Sequence, residues 1–265
     1  MLNVAEGGEF VVLGSQNSTT PNVVSFCDIS GSNPEYHSVE LGVKYGVGLN
    51  SRVLNSQAIG YVNTTSYIAK IIFSYPIKND PNIEKYPTRN GSNVLHPKED
   101  CLIFYDLGSL HFVEPNFDLA FNVTNSTSTF SIEEIDGTVT YLIYSGTSVF
   151  RIQEHSYLQN YSAVEEIDLG SNLRNIGFSR KNQVFGKFNR NAYDDMTTTF
   201  FDGNFNPLTI RSSVSLTFQR YHFSRFSRLE DKIFFMHQTF TGQPDEICTV
   251  PYTVDESSIT LDWEG

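Results

Sequence analysis

The sequence predicts an all-β chain built from repeated four-stranded units. Three observations predict it. The 265 residues include 21 Phe and 14 Tyr but only 3 Met and 1 Trp, and aromatic and β-branched residues fit a pleated, half-buried surface. Short strand-like runs recur along the whole chain with turn residues between them. Those runs group in fours, with a period of about 42–50 residues.

In chain order, the first unit reads LNVAE, GEFVVLGS, NVVSFCDIS and EYHSVELG. The second reads KYGVGLNSRVL, QAIGYVN and SYIAKIIFSYPI, with an outer strand that the pattern does not define. The third reads CLIFYDLG, SLHFVEPN and FDLAFNVT. The fourth, over residues 127–170, reads TSTFSIEEIDG, TVTYLIYSG, TSVFRIQE and, after a loop, SAVEEIDLG. The fifth, over 172–213, reads NLRNIGFSRKN, QVFGKFNR, MTTTFFDG and PLTIRSS. The sixth, over 216–265, reads LTFQRYHFSRFSRLED, KIFFMHQTF, DEICTVPYT and SSITLDWEG. Residues 78–99, KNDPNIEKYPTRNGSNVLHPKE, are polar and rich in Pro, Asn and Gly, and are expected to form a long loop insertion. NVTNSTST, from Asn122 to Thr129, reads as a connection between units.

A four-stranded sheet with two apolar faces cannot bury both alone. Radial packing of such sheets buries them and leaves only short, protected edges. TVTYLIYSG is nearly continuously apolar, as a strand covered on both faces should be, whereas SAVEEIDLG breaks with charges, as expected near a rim. The chain therefore resembles β-propellers as an architecture, over nearly its whole length and as one domain. About six blades are expected, with five or seven as alternatives and a β-sandwich as the rival fold. No WD dipeptide or kelch double glycine marks a particular propeller family.

The formal net charge is −12. This argues against general nucleic-acid binding and against docking on anionic lipid, both of which need a basic footprint. No window reaches the ~18 apolar residues of a membrane-spanning helix, so no membrane insertion is expected. The N-terminal MLNVAEGGEFVVLG lacks the basic and apolar regions of a signal peptide, which leaves the compartment open. Composition favours an extracellular, cell-surface or virion-associated setting. Cys27, Cys101 and Cys248 are odd in number, widely spaced and set in strand-like runs. They read as small buried side chains, not as a disulfide framework or a zinc site.

Two constellations are candidates for function. Asn79-Asp80-Pro81-Asn82 resembles the NDPN core of invertase-type glycoside hydrolases. That resemblance implies Asp80 as nucleophile and casts Glu246, in Asp245-Glu246-Ile247-Cys248, as acid/base, the two carboxyls lying about 5 Å apart in a retaining enzyme. The chain departs from the family at Ile83, where a glycine is expected, in lacking an Arg-Asp-Pro motif, and in carrying NDPN some 80 residues in.

The second constellation is basic. Residues 174–232 hold ten Lys/Arg and five Asp/Glu, whereas the rest of the chain holds eight and twenty-five. Within it, Arg180, Lys187, Arg220, Tyr221, His222, Arg225, Phe226 and Arg228 combine cations with aromatics. That composition is typical of interface hot spots and of sugar- or phosphate-binding surfaces. These runs open the fifth and sixth units, and the first strands of propeller blades line the channel.

Other patterns carry less. The six histidines show no metal-ligand spacing, and no cofactor or resident metal is expected. Glu133-Glu134 and Glu165-Glu166 are neighbours that point to opposite faces if they lie on strands. Asp194-Asp195 sits in a turn. Sequons begin at Asn17, Asn63, Asn90, Asn122, Asn125 and Asn160, which an Asn-, Ser- and Thr-rich chain accumulates without selection. The function expected is a non-catalytic binding or scaffold module that presents a rigid face to a protein or glycan partner, as a bacterial surface or phage structural component would. The alternatives are a glycoside hydrolase-like enzyme and a fragment or subunit of a larger assembly. The last follows from the absence of an obvious strand exchange to close the ring.

Overall fold

The computed structural model describes residues 2–4, 10–14, 23–29, 33–42, 45–78, 80–106, 108–120, 129–170, 173, 176–190, 195–212, 218–219, 221–227, 231–237 and 246–262. Among these residues every regular element is a strand, and none forms a helix able to cross a membrane. The chain divides into two compact units, Met1–Thr124 and Asn125–Gly265.

In the first unit, β1 (Leu2–Val4), β2 (Phe10–Gly14), β3 (Val23–Asp28) and β4 (Glu35–Glu40) form an antiparallel meander in chain order. The next meander comprises β5 (Tyr45–Leu54), β6 (Gln57–Thr64), β7 (Tyr67–Ser74) and β8 (Asn82–Pro87). Asn55 and Ser56, both at positive φ, make the tight turn between β5 and β6. The third meander comprises β9 (Ser92–Leu95), β10 (Leu102–Asp106), β11 (Ser109–Phe112) and β12 (Phe117–Ala120).

Strand β6 shows why the pattern folds this way. Alternate residues point to opposite faces. Ala58 and Val62 join Phe10, Val24, Phe26 and Phe73 in one core, while Ile59 and Tyr61 join Leu102 and Phe104 in another. Gly60 is needed on the first face, because a Cβ there would stand 2.5 Å from Cζ of Phe26.

The loop expected over residues 78–99 is corrected here, since the segment contains β8 and β9. β8 is held by its pairing with β7, from Ile72↔Asn82 to Tyr67↔Pro87, and no residue of it is fully buried. An outer strand held by backbone pairing needs no apolar alternation, so the pattern hid it. β8 supplies the missing outer strand of the second meander and β9 the first strand of the third. CLIFYDLG is therefore a second strand.

In the second unit, β13 (Thr129–Ile135), β14 (Thr138–Ser145) and β15 (Ser148–Ser156) are joined by β16 (Asn160–Tyr161) and β17 (Glu165–Asp168). Both short strands pair with β15, at Glu154–Ser156 and Ser148–Arg151 respectively, and share the outer position. The next four-stranded unit is β18 (Ile176–Ser179), β19 (Val184–Arg190), β20 (Asp195–Phe201) and β21 (Pro207–Ser212), with β22 (Phe218–Gln219) also on β20. The last is β23 (Tyr221–Phe226), β24 (Lys232–His237), β25 (Glu246–Asp255) and β26 (Ser258–Leu261). The outer strands β21 and β26 pair in parallel, from Thr209↔Ser258 to Ser212↔Leu261, and join these two units into one continuous sheet. Phe188, Phe200, Phe226, Val250 and Tyr252 pack in the core that they share.

The described residues thus hold six four-stranded units, three in each compact unit, as the repeat pattern predicts. Cys27 and Cys101 are buried, Cys248 is half-buried, and all three are free thiols.

Candidate functional site

The second compact unit contains a cleft of about 360 Å³, lined from its three first strands. On β13, Thr129, Ser131 and Glu133 are two residues apart and so share a face, and all three line the cleft. Tyr144 lies opposite Thr129 on the neighbouring strand and adds to the same wall. The Ser131 and Tyr144 hydroxyls are 3.2 Å apart. Burial pushes the Tyr144 phenol well above the usual tyrosine value, and the Ser131 contact only partly opposes it.

On β18, Ile176 and Phe178 present an apolar surface to the cleft. Phe178 is held by Phe185, with ring centroids 4.4 Å apart. Arg180 follows the strand directly, and its Nε donates to Glu133 Oε2 at 3.3 Å. The Gln183 amide fixes the turn by donating to the Arg180 carbonyl at 2.7 Å. Phe226, from β23, completes the lining.

Of the basic and aromatic residues singled out in the sequence, Arg180 and Phe226 meet in this cleft. Phe226 is also a core residue, 5.5 Å from the Tyr252 ring. Lys187 on β19 is 6% exposed and donates to the Leu169 carbonyl at 2.8 Å. Burial lowers its pKa, with Asp168 opposing the shift. Tyr221, His222 and Arg225 lie on β23, but their side chains fall outside the described residues, as do Arg220 and Arg228 altogether. Other cations of the basic segment are paired locally: Lys181 lies 2.5 Å from Asp231, and Arg211 lies 3.4 Å from Asp255.

The hydrolase candidates fall in different compact units. Asp80 is exposed before β8 in the first unit, and Glu246 opens β25 in the second, its side chain outside the described residues. Asn79, Asp194 and Asp245 also lie outside them. His96 is buried, and its Nδ1 accepts from the Glu99 amide at 2.9 Å, closing a turn. Among the described residues no three His, Cys, Asp or Glu are grouped to hold a metal ion.

Sequence reasoning missed a second polar constellation, in the first unit. Lys70 on β7 is 6% exposed, and its Nζ lies 2.6 Å from Glu114, 2.7 Å from Asp100 and 3.6 Å from Glu84. The Tyr86 hydroxyl lies 2.8 Å from Glu84 and 3.0 Å from Glu114, with its one proton shared between them, and Tyr61 donates to Asp100 at 2.9 Å. Burial pushes the Lys70 ammonium down, but its hydrogen bonds to Asp100 and Glu114 outweigh this and raise its pKa above the usual lysine value. Tyr61 and Tyr86 are both raised, chiefly by burial and then by the neighbouring carboxylates. A signal existed in the sequence: a lysine in the middle of the apolar run SYIAKIIF demands buried partners. The cluster is bordered by Arg52, whose Nη2 donates to the Pro97 carbonyl at 2.8 Å and whose Nη1 donates to the His96 and Glu99 carbonyls.

No protein-family model matches this chain, and no curated protein sequence matches it. Solved structures do. A Bacteroides fragilis protein provisionally assigned as a 6-phosphogluconolactonase is 12% identical, with 98% of this chain and 82% of that one covered and a TM-score of 0.57. Hsv2 from Kluyveromyces lactis is 9% identical, with 98% and 96% covered and a TM-score of 0.55. TolB from Acinetobacter baumannii is 12% identical, with 96% and 66% covered and a TM-score of 0.50. The fold is a β-propeller. At these identities the likeness shows fold alone, and one propeller architecture hosts many unrelated activities.

Proposed function

We propose that this propeller is a non-catalytic binding module, and that the first-strand cleft of its second unit recognises a protein or glycan partner. The observation that carries this reading is the placement of Arg180. Its guanidinium, 35% exposed, stands at a cleft between a hydroxyl-bearing wall and an aromatic one, held in orientation by Glu133. A cation fixed beside aromatic surface is a common anchor for a partner. Among the described residues, the carboxylates grouped in the first unit are bound to Lys70, Tyr61 and Tyr86. Asp80 is not among them.

The experiment is capture from two immobilised libraries, one of glycans and one of displayed peptides, with the wild type and an Arg180→Ala variant. The reading expects a ligand retained by the wild type and lost by a variant that unfolds at nearly the same urea concentration. Full retention of every interaction by Arg180→Ala would sink it.

A further inference from the structure

Resting on that reading of the cleft, the geometry points to a neutral saccharide, recognised through one ring, as the ligand class. The two walls are chemically unlike. The β13 wall offers the Thr129 and Ser131 hydroxyls and the Glu133 carboxylate, a mixture of donors and acceptors. The β18 wall offers the Ile176 side chain and the Phe178 ring. A pyranose matches this division, because its hydroxyls project from the ring edge while its C–H groups make an apolar face that packs on an aromatic ring. A wholly apolar ligand would desolvate Ser131 and Glu133 without replacing their hydrogen bonds.

Charge narrows the class further. The charged side chains among the described residues of the lining are Arg180 and Glu133, and they face each other at 3.3 Å. The guanidinium is therefore already matched. A phosphate or carboxylate reaching it would meet Glu133 as a like charge. A pair of neighbouring hydroxyls meets no such conflict, since one accepts from Arg180 while the other donates to Glu133. The volume of about 360 Å³ lies at the small end of ligand pockets, enough for a ring and not for a long extended segment.

The test is isothermal titration calorimetry on the full chain with three probe sets: neutral hexoses and their short oligomers, uronic acids and hexose phosphates, and short peptides. Neutral saccharides are expected to bind. Glu133→Gln and Phe178→Leu should each weaken them by about tenfold or more, the loss of one charge-assisted hydrogen bond or one packing face. Arg211→Ala, on the outer strand β21, should leave binding unchanged. Phe178→Leu keeps the site apolar, and Glu133→Gln keeps its shape, so that loss of binding is separable from loss of fold. Preference for the anionic sugars or for peptides, with dependence on Arg180, would overturn the neutral-saccharide class and leave the cleft as a recognition site. If no probe shows binding that depends on Arg180, both readings fall.

Discussion

Each compact unit sets a cation against carboxylate, and the two do so in opposite ways. Lys70 is 6% exposed and touches three carboxylates, each of which also has a tyrosine hydroxyl within hydrogen-bond distance. Arg180 is 35% exposed and pairs with Glu133, which is 16% exposed. An ion taken out of water must be matched fully or it destabilises the fold. An ion left partly in water has little to give the fold. The same chemistry thus serves packing in the first unit, while in the second we propose that it serves recognition. Variants that exchange these roles are the way to break the comparison.

The largest effect is expected at Lys70. Lys70→Met leaves Asp100, Glu114 and Glu84 crowded together with no cation between them. Because these carboxylates keep some access to water, the cost should lie near the lower end for a broken buried pair, about 3 kcal/mol. A lowered urea midpoint would show it, and a midpoint unchanged from wild type would show that the cluster does not support the fold. Next comes a steric test in the second unit. A Cβ at Gly186 would stand 2.7 Å from Cζ of Phe188 and 2.9 Å from Cε2 of Phe226. Gly186→Ala should cost about 1–3 kcal/mol by overpacking. By moving Phe226, it should also disturb the cleft.

How far the sequence foretold these two regions differs in the same way. The principal strands of the units after Thr129 were legible from their apolar runs. β14 is the clearest case, with every residue after Thr138 buried. By contrast, β16 reads as loop, and β22, which pairs with β20, reads as part of the sixth unit's first strand. β8 was not legible, because its side chains are largely exposed and its place comes from backbone pairing with Lys70 and its neighbours on β7. Arg180 and Phe226 could be named from composition, but Thr129, Ser131 and Glu133 could not. Their alternation marks a face without saying what that face meets. The Lys70 cluster pairs residues as far apart in the chain as Lys70 and Glu114, 44 positions, and only the packing of the second meander against the third reveals it.

An intermediate effect is expected from alkali, and its sign can be worked out. Lys70 and Tyr61 both have raised pKa values in the folded state. A raised value means that the folded chain holds its proton when the unfolded chain has lost it. Their contribution is therefore present at neutral pH and up to about pH 10, where free tyrosine and lysine titrate, and is lost as pH rises further. Tyr61→Phe should cost about 1 kcal/mol at pH 7, for the hydrogen bond to Asp100, and should flatten the fall in stability above pH 10. Urea midpoints taken from pH 7 to 11 would check this. A fall as steep as that of the wild type would place the alkaline transition elsewhere.

The smallest effect on stability, and the one that sharpens the comparison most, is expected at Arg180. Arg180→Ala removes a half-exposed pair at 3.3 Å, so its cost should be at most about 1 kcal/mol, and less in high salt. Glu133→Gln should cost a similar amount. If the two single variants and the double variant form a cycle, the coupling between them should be only a few tenths of a kcal/mol. The corresponding cycle between Lys70 and Asp100 should give a coupling several times larger. Equal couplings would mean that burial does not separate the two pairs, and that Arg180 holds the second unit together as Lys70 holds the first. A weak coupling at Arg180, together with loss of ligand capture, would leave recognition as the reason for keeping a guanidinium in the lining of the cleft.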